Sequence, residues 1–133
     1  MTIPVGYTGA MPVILVLEDD TATRDALTET LRRLFPLARI IATRTDAEPA
    51  AVEREGANVV LATLPIAERL CRETACLAAR TVALTHAMGP DTLMRAEALG
   101  VCASLRAPAS AEHLRTVLGP MLHGQVEPKR CLR

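Results

Sequence analysis

Three consecutive acids, Glu18-Asp19-Asp20, follow the apolar run Val13-Ile14-Leu15-Val16-Leu17 and precede Thr21-Ala22-Thr23-Arg24. The run reads as a strand buried on both faces, so the carboxylates fall where a strand ends and a helix begins. In an open parallel sheet, ligands bind outside the carboxyl ends of the strands. Adjacent acids there repel one another and lose hydration, which a cation or a basic side chain sharing the site would relieve. A solvated acidic turn is the alternative. His86 follows another apolar run, Thr81 to Thr85, and could change charge near neutral pH or bind a metal with Glu18 or Asp19; as a lone rim histidine it could equally be a solvated side chain. Cys71, Cys76, Cys102 and Cys131 lack the CxxC pairing of a zinc site, and no His lies within a few residues of them. Cys71 and Cys102 read as small buried hydrophobes, and Cys131 as a free thiol in a polar tail.

The elements that must position these groups follow from the apolar pattern. Met1 to about Pro12, with two Gly and two Pro, reads as a loose arm. Ala26, Leu27, Leu31, Leu34 and Phe35 recur at helical spacing behind Asp20 or Thr21 as N-cap. Strands are expected at 39–43, 58–62, 81–85 and 101–105. Thr45-Asp46-Ala47-Glu48 has capping-box spacing for a second helix running to about Glu55 and stopping at Gly56. A third helix is predicted over about 66–78 and a fourth from about Pro90 to Leu99 with Gly100 beyond its end. The last starts after Ser110, carries Leu114, Val117 and Leu118 on one side, and should bend or end at Gly119-Pro120.

Strand and helix thus alternate five times without a sequence repeat. That calls for an α/β three-layer sandwich: a parallel sheet between helices, joined by right-handed crossovers. Five strands fit the flavodoxin-like, doubly wound (βα)5 order 2-1-3-4-5, and the lack of a glycine-rich phosphate loop after the first strand disfavours a dinucleotide fold. The expected organisation is an arm at 1–12, one domain at 13–122 and a polar tail at 123–133.

Composition narrows the function classes. The 133 residues suit one domain, and with only Tyr7 and Phe35 aromatic the core must be aliphatic. Basic residues (15) equal acidic ones (15), which removes the net-charge motive for binding nucleic acid or an anionic membrane. No membrane-length apolar run or signal peptide is visible, so a cytoplasmic location is expected.

From about Met11 to Leu122 the chain resembles the receiver domain of bacterial two-component response regulators. The resemblance is carried by Val13–Leu17 with Glu18-Asp19-Asp20, by Thr85 at the end of the fourth strand, by Ala98-Leu99-Gly100-Val101, and by Pro108-Ala109-Ser110. It implies an acidic pair, Glu18 and Asp19, that holds Mg2+, a switch residue at Thr85, and a turn at Pro108 that can follow a cis peptide. It also implies an Asp that accepts a phosphoryl group at the end of the third strand and a Lys after the fifth.

This sequence departs from that pattern at the chemistry itself. The acceptor position falls on Thr63 with Asn58 as anchor, or on Leu61 with Pro65 as anchor, and no acid occurs from Gly56 through Ala67. The Lys position falls on Ala107, with Arg106 one residue earlier on the opposite side of the strand, and the aromatic switch position falls on Ser104. The loop before Pro65 is short. The resemblance therefore points to a degenerate, or pseudo-receiver, domain whose Thr63 has no adjacent base to activate it and either takes a phosphoryl group from a kinase or merely closes a strand. With the third carboxylate gone, Glu18 and Asp19 are expected to form a vestigial, weak or empty Mg2+ site, and no other cofactor is expected.

Two function classes follow. The first is a non-enzymatic signalling module in a two-component or phosphorelay system that binds a partner protein or a second copy through the helix at Pro90, the fifth strand and the last helix. Leu93, Met94, Ala98, Leu114 and Met121 offer apolar contact there, some of them necessarily packing the core. No output domain follows in this sequence, so the message would leave through a partner, a second copy or a neighbouring domain outside the sequence given. The second is a small-ligand or metal-binding, even enzymatic, domain built on Glu18, Asp19 and His86.

Overall fold

Alternation of side chains along each strand divides the core in two. Val13, Leu15, Leu17, Val60, Ala62 and Ala83 enter one apolar cluster, while Ile14, Val16, Val59, Leu61, Val82, Leu84 and Leu105 enter the other. A strand with both alternating sets buried must lie inside a sheet covered on both faces, as every residue of Val13–Leu17 is. A computed structural model gives this arrangement; it describes residues 11–43, 51–52, 54, 56–86 and 89–123.

Five parallel strands, β1 (Val13–Leu17), β2 (Arg39–Thr43), β3 (Val59–Thr63), β4 (Thr81–Thr85) and β5 (Ala103–Arg106), pair in the order β2-β1-β3-β4-β5. The expected doubly wound, flavodoxin-like order is the observed one. Helix α1 (Thr21–Leu34) sends Leu27 and Leu31, and α4 (Ala111–Leu122) sends Leu114, Leu118 and Met121, into the cluster on one face. On the other face lie α2 (Leu64–Glu73), a 3-10 segment (Ala75–Arg80) and α3 (Pro90–Leu99), with Leu70, Leu77 and Ala96 buried against the sheet. Glu68 of α2 and Arg95 of α3 form a two-bond ion pair, Nε to Oε2 at 3.0 Å, and the guanidinium holds the Glu68 carboxyl below its usual range.

Several boundaries differ from the sequence expectation. Strand β3 ends at Thr63 and α2 begins at Leu64 with Pro65 in its first turn, so no loop separates them. The third helix does not run on to Ala78: it stops at Glu73, where Thr74 is extended, and a 3-10 segment takes over. Strand β5 begins two residues later than expected, at Ala103; the Cys102 amide before it donates to the carbonyls of Thr81 at 2.9 Å and Ala78 at 3.2 Å. Cys102 is exposed rather than buried, whereas Cys71 is buried and hydrogen-bonded to Thr81. Helix α4 passes through Pro120 to Leu122 instead of ending there. Ala51, Val52 and Arg54 are helical, while the Thr45–Glu48 capping box, the arm before Met11, Cys131 and the tail from Gly124 lie outside the described residues.

Asn58 fastens the sheet's register at its amino end. Its side-chain oxygen accepts from the Val13 amide at 2.8 Å, and its own amide donates to the Val13 carbonyl at 2.8 Å. Glycine is required at Gly100, where φ is +74° as α3 turns into the next strand. Among the described residues no helix is long and apolar enough to cross a membrane.

Candidate functional site at the carboxyl end of the sheet

The chain leaves β1 for the edge strand β2 and then returns past β1 to β3, so the direction of winding reverses between β1 and β3. Loops diverge at such a point and open a crevice. Glu18, the first residue after β1, stands there. It is only 3 % exposed; its Oε2 accepts from the Asp20 amide at 3.1 Å, but its Oε1 is buried with no hydrogen-bond partner. The nearest basic atom is Nε2 of His86, 3.9 Å away, on an imidazole that is 63 % exposed. Arg24 does not neutralise the carboxylate: its Nη1 donates to the Glu18 main-chain carbonyl at 3.0 Å.

The three acids divide their work. Asp20 leaves the cluster to cap α1, its Oδ2 accepting from the Thr23 amide at 2.8 Å and from the Thr23 hydroxyl at 2.6 Å. Those two bonds, the hydroxyl's first, lower the Asp20 pKa from the usual 3.8. A depressed carboxylate contributes stability that is fully present above its unfolded value and is lost as pH falls through the folded one. Asp20→Ala should therefore lower the melting temperature at pH 7 and by less well below pH 3.8, where only the uncharged capping bonds remain, a narrowing that melting curves across the acid range will check. Asp19 is exposed, so of the acids only Glu18 is both buried and short of a partner.

Thr63 is half-buried at the end of β3 and is the N-cap of α2, yet its side chain makes no capping bond. Leu61, the alternative acceptor position, is fully buried in the core. Thr85 is buried at the end of β4, where its carbonyl accepts from the Ala107 amide at 2.7 Å. Ser104 is half-buried within β5; Arg106 is exposed and Ala107 buried, on opposite sides as alternation requires. The Ala107-Pro108 peptide is cis.

The residues thus meet Mg2+ with one buried carboxylate oxygen and one exposed Asp. Among the described residues no three His, Cys, Asp or Glu side chains converge on a point that could hold a metal ion. Mg2+ usually keeps several waters and is held through one or two carboxylates, and Glu18 and Asp19 are the residues here that would hold it.

What the sequence did not disclose is a cavity of about 410 Å3 beside these groups. It lies between the first half of α1 and the β5–α4 connection, walled by Ala22, Ala26, Leu27, Leu84, Ala107 and Pro108, with His86 at its edge. Its signal was the run of small side chains on α1 together with Ala107, which the linear pattern does not bring together.

The proposed contact face is divided by the fold. Leu93 and Met94 are exposed, Met94 at 66 %, and Ala98 is exposed beside them on α3. Leu114 and Met121 are buried in the core beneath α4 and are not available, because the face of α4 that carries them is the one that covers the sheet.

No family model matches the sequence, and no curated protein is significantly similar to it. Solved structures do match in shape. The signal receiver domain of a DNA-binding response regulator from Colwellia psychrerythraea is 24% identical, with a TM-score of 0.66 over 84% of this chain and 98% of that one. Chemotaxis protein CheY4 of Vibrio cholerae is 16% identical, with a TM-score of 0.69 over 85% of this chain and 100% of that one. A pilus assembly-related protein from Burkholderia pseudomallei is 21% identical, with a TM-score of 0.63 over 92% of this chain and 98% of that one. The chain shares the fold of these proteins, a flavodoxin-like parallel sheet of five strands.

Proposed function

We propose that this domain is an atypical receiver module of two-component or phosphorelay-type signalling, one that acts by protein contact and without phosphorylation of an aspartate. One observation carries the reading: on a receiver-like fold, the residues at the ends of β3 and β5 are Thr63 and Ala107, and the β3–α2 connection has no acid in it. A Thr hydroxyl is neutral at pH 7, and with no base adjacent to it in sequence it does not match a carboxylate as a phosphorus nucleophile. Ala107 offers no ammonium to pair with a phosphorylated product.

Incubation with acetyl phosphate and Mg2+ should leave the intact mass unchanged. An acid-labile gain of one phosphoryl group would refute the reading. The contact itself is assigned to α3, where Leu93, Met94 and Ala98 are exposed, and its partner is a signalling protein or a second copy of the chain. Sedimentation over a concentration series separates these two: a mass that doubles with concentration, and returns to that of a monomer in Met94→Glu, identifies the second copy.

A further inference from the structure

We infer that the cavity beside α1 binds a small organic cation, an ammonium or amidinium group carried on an apolar body. Its volume of about 410 Å3 lies within the roughly 300–1,000 Å3 of small-molecule sites, which pair apolar walls with a few placed polar groups. Here the walls are alanine, leucine and proline side chains, and the hydroxyl protons of the two threonines that line it, Thr23 and Thr30, are already donated to Asp20 and to the Ala26 carbonyl. The polar end is His86, and behind it, 3.9 Å from the imidazole, lies the Glu18 oxygen that no hydrogen bond satisfies.

A buried carboxylate oxygen without a partner selects for a donor that brings positive charge. Among the described residues, His86 is the basic side chain within ion-pair distance of that oxygen, at 3.9 Å. Arg24 is committed to a main-chain carbonyl, and among the described residues no Lys or Arg lines the cavity. A zinc-type site needs at least three protein ligands, and no three His, Cys, Asp or Glu side chains converge here among the described residues. His86 both lines the cavity and lies 3.9 Å from the Glu18 oxygen, so its imidazole, 63 % exposed, is the link between the two. This inference stands apart from the contact assigned to α3, which covers the opposite face of the sheet.

The test is a titration of isotopically labelled protein with tryptamine, followed by amide chemical shifts. Its controls are indole-3-propionate, which keeps the body and reverses the charge, and ethylamine, which keeps the charge without the body. Tryptamine should bind saturably with shifts at Ala22, Ala26, His86 and Ala107, and each control about tenfold more weakly or not at all. Glu18→Gln, which preserves shape, should weaken tryptamine by about tenfold, and Ala26→Leu should abolish binding by filling the cavity. Equal binding of the amine and the acid, undiminished affinity in Glu18→Gln, or the absence of any saturable shift would each overturn the assignment. So would Nα-acetyl-lysine amide binding as tightly as tryptamine, which would give the site to a partner's lysine side chain.

Discussion

Leu61→Ala should lower the free energy of unfolding by about 2–5 kcal/mol, the range seen when a buried leucine is cut back to alanine. The residue is 0 % exposed in the central strand β3, packed within the cluster that α1 and α4 cover. Its backbone is held by β1 on one side and β4 on the other, so the strand cannot move inward to close the void. A domain of this size has only about 5–15 kcal/mol of stability in total, so the variant should approach unfolding at moderate urea concentration. Leu37→Ala is the control: at an exposed loop position it should change stability by no more than about 0.5 kcal/mol. A urea midpoint in Leu61→Ala equal to that of Leu37→Ala would show that the strand order places a different residue at the centre of the core.

Pro120→Ala should act in the opposite direction and stabilise the protein by about 2 kcal/mol. Proline in a helix interior is about 3 kcal/mol less favourable than alanine, because it has no amide to donate and its ring crowds the preceding turn. Against this, proline restricts the unfolded chain, and its removal returns about 0.4–1 kcal/mol. In α4 the ring leaves the Thr116 carbonyl without its helical donor, yet the helix resumes and the His123 amide reaches the Gly119 carbonyl at 3.0 Å. Alanine would supply the missing bond without disturbing Leu114, Leu118 and Met121, which hold the helix to the sheet. A urea midpoint that stays level or falls would mean that the proline serves packing that alanine cannot reproduce.

That helix also shows why sequence pattern and structure part company. Gly119-Pro120 is a local stop signal, and taken locally the reading was sound. Three buried side chains spaced along one face of α4 outweigh it, and how much their burial contributes depends on a sheet assembled from distant segments. The sequence left open which of Leu93, Met94, Ala98, Leu114 and Met121 pack the core; Leu114 and Met121 do, because α4 lays that face on the sheet. Cys102 went the other way: a short apolar run read as burying it, whereas it precedes the first residue of β5 and its side chain is exposed.

Taken alone, the amino-acid order determined the alternation of strand and helix, the parallel sheet and its winding, and the absence of any acid at the end of β3. These depend on short-range periodicity and on residue identity, which can be read along a line. Tertiary structure alone decided that Glu18 keeps an unsatisfied oxygen next to His86, and that small residues from α1 and from the turn at Pro108 leave a space between them. Those facts concern distances between segments far apart in the chain, and such distances are set when the two apolar clusters close around the sheet.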